Sequence, residues 1–329
     1  MRYDIIGDVH GHAVALEGLL QELGYRERHA VYRHPDPDRT AVFVGDIVDR
    51  GPAVKRSLEI VRRMKDAGTA YVVLGNHEYN LIGYHTPIAD EKRTGYVRAH
   101  TQSHLRQCRQ TLAQFADSPA ELKSYLAWMM DQPLFLELPE IRVVHAAWHP
   151  LGIEIIRRRT PVTHSLTPEL LQESARYGSD AYYAVEYLLK GVEIQLPEGM
   201  SYLDKEGTRR TRTRVSWWWM PEPPALHTAQ SPVRLEDLAF PHGVVSSAAN
   251  PEFSIPAEAV EHVPGYNDTI PVFVGHYWLT GKPQYITPYI CCLDYSIAAG
   301  GLLTAYTYQG EAELLNDHFV QVDANGNPQ

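Results

Sequence analysis

The chain has 329 residues, of which 44% are apolar, so it can bury the core of one large α/β domain. Its net charge of −10 argues against a broad surface for duplex nucleic acid, although a small anionic substrate stays possible. No apolar stretch approaches the ~20 residues of a membrane span, and the N-terminus lacks the apolar segment of a signal peptide. The three cysteines, two of them adjacent, suit reduced thiols better than disulfides. We therefore expect a cytoplasmic protein with no membrane partner.

Five short, nearly continuous apolar runs predict strands that are covered on both faces. Each run ends directly before a polar motif. In open α/β sheets the functional site lies beyond the carboxyl ends of the strands, so these motifs are expected to meet there. The runs are Ile5–Ile6, Ala41–Val44, Tyr71–Leu74, Arg142–Val144 and Val272–Val274.

Helical patterns fill the gaps between these runs. They predict helices over residues 13–23, 52–65, 97–116 and 119–131, and glycines follow the first two as stop signals. Strands that alternate with helices are typical of parallel βαβ units. Near the C-terminus, residues 286–308 predict closing strands, and residues 323–329 predict a frayed polar tail.

The organisation of the chain changes after about residue 150. Residues 157–260 are rich in proline, charged and aromatic residues, and their periodicity is weak. A candidate ligand, His276, follows this region, so the chain must return to the same sheet. We therefore interpret residues 1–329 as a single domain, with an irregular insertion or cap at 157–260.

The motif Gly45-Asp46-x-x-Asp49-Arg50-Gly51 is the most specific of the set, because its chance occurrence in one chain is about one in ten thousand. A polar turn into a helix would explain Asp49 as a cap, but it explains neither Asp46 nor Arg50. An aspartate after a buried strand has two oxygens and could bridge two metal ions. The planar fork of Arg50 suits a phosphate.

Asp8 and His10 follow the first strand. In an extended strand end, residues two apart point the same way, so a carboxylate and an imidazole could face one cation. On its own this pattern is weak, since a turn aspartate and a surface histidine explain it equally well.

The motif Gly75-Asn76-His77-Glu78 has two interpretations. Asn76 could cap the following helix, or its carbonyl oxygen could bind a second metal. His77 would stand beside the metals without binding them. A cationic imidazole held by Asp49 is a suitable proton donor to a leaving oxygen.

His145 and His276 follow the last two apolar runs. A lone histidine at such a place is more often structural, but here two ligands are still needed at a second metal. Two aspartates, one asparagine and three histidines at strand ends form a ligand set for two adjacent divalent ions. Paired metals of this kind most often catalyse hydrolysis at phosphorus.

The basic run at residues 209–214 stays open between two interpretations. It could be a solvated strand or loop. It could also clamp an anion, with Arg212 and Arg214 on one face and Trp217–Trp219 nearby to stack on a base.

These motifs resemble the calcineurin-like metallophosphoesterases, in particular the branch of serine/threonine phosphoprotein phosphatases and diadenosine tetraphosphatases. The resemblance covers residues 3–80, His145 and His276. It implies a four-layer α/β sandwich of two mixed β-sheets flanked by helices. It also implies two divalent ions; manganese is the first expectation, and iron, zinc, cobalt and nickel stay open.

The resemblance assigns a role to each motif residue. It implies that Asp8, His10 and Asp46 bind the first metal and that Asp46 bridges to the second. Asn76, His145 and His276 would complete the second site. His77 and Asp49 match the acid pair of the family, Arg50 matches its phosphate-holding arginine, and Arg212 or Arg214 could be a further one.

Two departures from the family pattern and one absence that discriminates between its branches stand out. Trp148 follows the fourth motif histidine closely and would narrow the pocket. Leu293-Asp294-Tyr295-Ser296 replaces the usual Leu-Asp-x-Gly and leaves the role of Asp294 open. Trp278 stands where nuclease branches carry a second histidine, which favours the phosphatase and nucleotide-phosphatase branch.

We therefore expect hydrolysis of a phosphate ester or anhydride by a hydroxide bound to two metals, with His77 protonating the leaving group. The expected substrates are dinucleoside polyphosphates or related nucleotides. A serine/threonine-type phosphoprotein phosphatase is the close alternative. A non-catalytic, metal-stabilised binding module is the alternative of another class, and the complete set of ligand and acid residues speaks against it.

Overall fold

The computed structural model describes residues 2–89, 94–196, 198–199, 201–203, 209–219, 233–234, 254–255 and 261–329. Its strands are β1 (Arg2–Ile6), β2 (Arg26–Arg28), β3 (Val31–Arg33), β4 (Arg39–Phe43), β5 (Ala70–Val72), β6 (Phe135–Glu137), β7 (Arg142–Val144), β8 (Glu193–Gln195), β9 (Tyr202–Leu203), β10 (Arg209–Arg210), β11 (Arg212–Arg214), β12 (Val233–Arg234), β13 (Ser254–Ile255), β14 (Val272–Val274), β15 (Ile290–Cys292), β16 (Leu303–Tyr308) and β17 (Phe319–Val322). Its helices are α1 (Ala13–Glu22), α2 (Val54–Asp66), α3 (Asn76–His85), α4 (Gln102–Gln114), α5 (Pro119–Met130), α6 (Pro150–Arg159), α7 (Pro168–Ser174) and α8 (Asp180–Lys190).

Two mixed sheets form the centre of the fold. The first has the order β17-β16-β1-β4-β5, with β1, β4 and β5 parallel to one another and β16 antiparallel to β1. The second has the order β15-β14-β7-β6, with β7, β14 and β15 parallel. All five strands predicted from the apolar runs are present in these two sheets.

Alternate residues of the two sheets face each other and pack as one apolar layer. Ile5 and Val42 from the first sheet lie in the same buried cluster as Val143 and Phe273 from the second. The opposite faces, represented by Phe43 and Val144, pack in a second cluster with residues of the helices. This arrangement explains why the strand sequences are apolar at successive positions rather than at every second one.

The predicted helices are present, and α4 is shorter than expected. The prediction began at residue 97, whereas α4 begins at Gln102 because the side chain of Thr101 accepts a hydrogen bond from the His104 N–H. Before it, Val97 and Arg98 donate backbone hydrogen bonds to Thr86 and Gly83 at 2.8 and 3.0 Å. These bonds hold the segment against the end of α3, so it does not join α4.

Within the predicted insertion, the structure has order that the sequence interpretation did not anticipate. Helices α7 and α8 begin at Thr167 and Ser179 caps, and β8 pairs antiparallel with β11. Much of the stretch 197–260 lies outside the described residues. The boundaries of the insertion and the single-domain organisation therefore stay predictions.

The expectation of a frayed C-terminal tail is wrong. Asp323 accepts hydrogen bonds from the N–H groups of Asn325 and Asn327, and the Gln329 N–H donates to Gln321 at 3.1 Å. Gly326 packs so closely on Gly18 of α1 that a Cβ on Gly18 would come within 2.4 Å of the Gly326 oxygen.

Among the described helices, none combines the length and the apolar character that a membrane span requires.

Candidate metal centre

The ends of five strands bring the predicted ligands to one place. Glycine precedes several of them because the backbones approach closely there. A Cβ on Gly275 would lie 1.9 Å from Asp8 Oδ1, and one on Gly75 would lie 2.2 Å from Asp46 Oδ1. The glycines of these motifs therefore make room for the carboxylates of the site.

Asp46 lies at the centre of the cluster. Its Oδ1 is 3.4 Å from His145 Nε2, and its Oδ2 is 3.6 Å from His10 Nε2. The two oxygens of one carboxylate thus face imidazoles from different strands. This is the arrangement that a bridging ligand needs.

Asn76 joins the two histidines that follow the second-sheet strands. Its Oδ1 is 2.9 Å from His145 Nε2 and 2.8 Å from His276 Nδ1. The backbone N–H of His276 donates to Asp8 Oδ2 at 3.1 Å. The structure therefore brings Asp8, Asn76, His145 and His276 together, although they span most of the chain.

The donor atoms fit a pair of cations. Two overlapping groups lie close enough to contact one ion each, and both groups contain Asp46. Among the described residues, three buried atoms of the predicted metal ligands have no hydrogen-bond partner, a state that is costly unless another ligand satisfies it. The groups are His10 with Asp46 and His77, and Asp8 with Asp46 and His145; the three atoms are Asp8 Oδ1, His10 Nε2 and His276 Nε2.

The electrostatics of the cluster favour positive charge beside Asp46. Burial raises the pKa of Asp8, and burial lowers the pKa of His10 to about 3. His145 behaves differently: burial disfavours its cation, but the carboxylates of Asp46 and Asp8 outweigh that effect and raise its pKa to about 10. A proton is drawn to the place where a divalent ion would bind, so metal binding should release it.

His10 deviates from the geometry that the sequence suggested. An extended strand end was expected to align Asp8 with His10, but His10 has φ 44° and the chain turns there. Its Nδ1 bonds the Val48 carbonyl at 3.0 Å, which turns Nε2 toward Asp46. The residue reaches the site by a left-handed turn rather than by strand alternation.

The predicted acid pair is in contact. His77 Nδ1 is 2.7 Å from Asp49 Oδ2, and Thr111 of α4 donates to Asp49 Oδ1 at 2.5 Å. Burial disfavours the imidazolium, but the carboxylates of Asp46 and Asp49 outweigh it and raise the pKa of His77. On its other side, His77 Nε2 lies 3.3 Å from Gln107 Nε2. Neither Thr111 nor Gln107 belongs to a motif, so the sequence alone does not point to them.

Glu78 holds the turn that carries Asp46. Its carboxylate accepts hydrogen bonds from the N–H groups of Asp46, Ile47 and Val48, and of Gly75, at 2.8–3.0 Å. Glu78 belongs to the Gly75-Asn76-His77-Glu78 motif, but no role is predicted for it there. The position three residues after Gly75 is the capping-box position, which was the available signal.

Two tryptophans near the site differ in direction. Trp148 was expected to narrow the pocket, but it is buried, packs edge-to-face on Phe135, and lies under the Arg142 guanidinium. Trp278 is 38% exposed, and the exposed Arg50 guanidinium lies 5.3 Å from its ring centroid. The expectation for Trp148 is therefore wrong, because its ring completes the apolar core.

The two candidate arginines of β11 differ in their relation to the site. Burial and the nearby Arg214 guanidinium together hold the pKa of His276 well below its ordinary value. Arg212 instead lies near tyrosines of α8, whose pKa values burial raises and Arg212 lowers in part. Both approach Glu193, with each Nε 3.8 Å from a carboxylate oxygen.

Asp294, whose role the sequence left open, fastens two backbone turns. Its Oδ2 accepts a hydrogen bond from the Trp278 N–H at 2.9 Å, and its Oδ1 accepts one from the Ser296 N–H at 3.0 Å.

Many residues of the site have positive φ, a conformation that is concentrated at functional sites and persists only where the surroundings enforce it. They are His10, Asp46, Asp49, Arg50, His276 and Trp278.

Parts of this chain are similar to known proteins. PrpE, the asymmetrical bis(5'-nucleosyl)-tetraphosphatase of Halalkalibacterium halodurans, is 45% identical over 84 residues, which are 26% of this chain and 34% of that protein. The protein of the same name from Oceanobacillus iheyensis is 46% identical over 77 residues, 23% of this chain and 30% of its own. The matched segments span about a third of these relatives. A protein serine/threonine phosphatase from Saccharomyces cerevisiae aligns over 98% of this chain and 80% of its own, with a TM-score of 0.47 and 13% identity.

The match to a family model covers more of the chain than these relatives do. A model of the calcineurin-like phosphoesterase family matches residues 1–185, which are more than half of the chain. The two mixed sheets with flanking helices are the architecture that the resemblance implied, so the predicted fold class is confirmed. The chain therefore belongs to the calcineurin-like phosphoesterase family of hydrolases, as its motifs predict.

Proposed function

We propose that this protein is a metal-dependent phosphohydrolase that uses two divalent ions and acts on dinucleoside polyphosphates or related nucleotides. The observation that supports it best is the position of Asp46, whose two carboxylate oxygens face His145 and His10, with His77 directly beside them. A single buried carboxylate between two donor groups, next to a candidate acid, suits hydrolysis at phosphorus.

Asp8, His10, Asp46, Asn76, His145 and His276 would hold the ions. When bound, such ions supply Lewis-acid activation of water and hold phosphoryl oxygens. Oxygen and imidazole donors without thiolate accept manganese, iron, zinc, cobalt and nickel, so availability decides among them. Manganese stays our first expectation.

His77 would donate the proton. Its Nδ1 is occupied by Asp49 at 2.7 Å, so Nε2 is the ring atom that can protonate the leaving oxygen. Asp49 keeps the ring in one orientation and favours its cationic form. His77 also belongs to a group that could contact one ion, so the metal content of a His77→Ala variant distinguishes an acid from a ligand.

Arg50 and Arg214 would bind the phosphoryl group. Arg50 is exposed at the mouth of the site, and Arg214 is close enough to His276 to shift its pKa. Guanidinium groups bind phosphate oxygens in pairs and stabilise charge that develops during the reaction. Arg214 takes this role, and Arg212 stays on the solvent side.

The substrate assignment is supported by the names of the two bacterial relatives, which are tetraphosphatases for bis(5'-nucleosyl) substrates. A serine/threonine-type phosphoprotein phosphatase is the rival, because the two activities share the same core motifs. A non-catalytic binding module is disfavoured, since all six ligand positions and the acid pair are filled and in contact. The cytoplasmic location stays a prediction.

The test compares turnover of diadenosine tetraphosphate, a phosphoserine peptide and an aryl phosphate by the manganese-loaded protein. Metal content is measured on the same sample, and the chelated protein is the control. We expect the dinucleotide to be cleaved with the highest kcat/KM. Cleavage of the peptide alone would eliminate the nucleotide assignment. A metal-loaded protein that cleaves none of the three would eliminate the phosphohydrolase.

A further inference from the structure

Trp278 lies at the mouth of the site in an unusual backbone conformation. It follows His276 by two residues, has φ 52°, and is 38% exposed. A bulky residue in the left-handed region is strained, and such strain persists only where neighbouring structure enforces it. The backbone of Trp278 is therefore expected to be held by specific contacts.

Asp294 provides the enforcing contacts. Its carboxylate accepts the Trp278 N–H at 2.9 Å, and its own backbone carbonyl accepts the Leu279 N–H at 2.7 Å. The Ser296 hydroxyl donates to the Leu279 carbonyl at 3.0 Å. These hydrogen bonds hold the backbone of Trp278 and of the next residue, Leu279, in place.

The guanidinium group of Arg50 lies beside the Trp278 ring. The group lies 5.3 Å from the Trp278 ring centroid, within the range of a cation–π contact. In the part of the chain that the structure describes, no carboxylate forms an ion pair with Arg50. The guanidinium is thus placed beside an aromatic surface and left available to an anionic group.

We propose that Trp278 is a specificity-determining residue on which the base of a nucleotide stacks while its phosphate binds beside Arg50. A nucleotide presents an aromatic ring next to a phosphate, and this site presents an aromatic ring next to a guanidinium. Stacking on tryptophan tolerates different bases, because every base has a π-face. This inference rests on the proposed function, which supplies the phosphate site.

Equilibrium binding tests the proposal without turnover. The probes are adenosine 5'-monophosphate and inorganic phosphate, titrated calorimetrically into the manganese-loaded protein. Base stacking contributes about 1–3 kcal/mol, so W278L should weaken nucleotide binding roughly 5- to 150-fold. Phosphate binding should weaken much less, and W278F should retain most of the preference for the nucleotide.

Tyr96 offers a matched control. It is 40% exposed, stacks on His100 at 4.0 Å, and lines a separate cavity of about 550 Å³. Y96L should leave both affinities unchanged. An unchanged ratio of nucleotide to phosphate affinity in W278L would overturn the proposal. A lower ratio of nucleotide to phosphate affinity in Y96L, together with an unchanged ratio in W278L, would overturn the proposal as well.

Fluorescence gives a second measurement that does not depend on W278L folding. Stacking of the nucleotide should quench tryptophan emission in the wild-type protein, and W278F should lose that quenching. Equal quenching in W278F would contradict the proposal. Failure of the turnover panel with these binding results intact would reject the proposed reaction but not the stacking site.

Discussion

At the scale of single residues, three imidazoles of the centre are oriented through the same ring atom. The Nδ1 atoms of His10, His145 and His77 bond the Val48 carbonyl, the Val44 carbonyl and the Asp49 carboxylate at 3.0, 2.8 and 2.7 Å. Each bond turns Nε2 toward Asp46. Such outer contacts fix the tautomer and direction of a ring before any ligand binds.

The first prediction concerns His77. His77→Ala should lower kcat by about 10²–10⁴, because the leaving group loses its proton donor. Metal content, measured by elemental analysis, should stay at the wild-type value. His85→Ala, which removes a histidine at the far end of the same helix, is the control. If His77→Ala protein loses its ions, the residue is a ligand and the acid assignment is wrong.

The second prediction concerns His149, which is buried and stacks on Tyr187 at 4.0 Å. Its Nε2 bonds the His262 carbonyl at 3.1 Å. Burial lowers the pKa of His149 to about 4 from the ordinary 6.5. The imidazole of His149 binds a proton more readily in the unfolded chain than in the folded one. The stabilising contribution of neutral His149 is therefore fully present above pH 6.5 and is lost as the pH falls toward 4.

Denaturant titrations between pH 7.5 and 4 measure this effect. The free energy of unfolding should fall by at most roughly 3 kcal/mol more in the wild type than in His149→Gln protein. His12→Gln, at a more exposed position, should follow the wild type. Parallel pH profiles for the wild type and His149→Gln would show that the histidine does not contribute.

At the scale of secondary structure, the start of α3 connects two strands of the first sheet to the metal centre. The carboxylate of Glu78, in its first turn, accepts hydrogen bonds from the N–H groups of residues 46–48 after β4 and of Gly75 after β5. The same helix begins with Asn76 and His77. One helix terminus therefore supplies a candidate ligand, the candidate acid and the carboxylate that holds Asp46.

The third prediction follows from Glu78→Gln. An amide has one acceptor oxygen, so the substitution leaves buried N–H groups unsatisfied and should destabilise the protein by roughly 2–4 kcal/mol. Chemical unfolding in the presence of a chelator measures this without a contribution from metal binding. Glu169→Gln, an exposed residue in the first turn of α7, is the matched control. Equal stabilities of the two variants would contradict the role of Glu78.

The fourth prediction separates the two arginines of β11. Arg214→Met should lower kcat/KM by about 10- to 100-fold, since it removes a charged contact to the phosphate. Arg212→Met should have little effect, because Arg212 lies toward the tyrosines of α8. Steady-state kinetics on diadenosine tetraphosphate decide between them. A larger loss in Arg212→Met would reverse the assignment.

At the scale of the whole molecule, the site depends on both sheets. Strands β1, β4 and β5 of the first sheet lead to Asp8, Asp46 and Asn76, whereas β7 and β14 of the second lead to His145 and His276. The apolar layer between the sheets sets the distance between these two groups. Packing of the sheets therefore helps to position the candidate metal ligands.

Much of this arrangement could be predicted from the sequence, because the candidate ligands follow short continuous apolar runs that are typical of buried strands. Side-chain direction could not, since it depends on packing partners distant in sequence: Trp148 turns inward onto Phe135, and His10 turns through a left-handed residue. Helices α7 and α8 also escaped prediction. Helix α7 has only seven residues, and the apolar periodicity of α8 is weaker than that of α2.

The central claim is that six side chains hold two ions around Asp46. It is tested most directly by elemental analysis of the desalted protein after loading with manganese. We predict two ions per chain in the wild type and fewer than one in Asp46→Asn protein, because both sites share this carboxylate. A wild-type protein with one ion or none, or an Asp46→Asn protein that keeps two, would contradict the account.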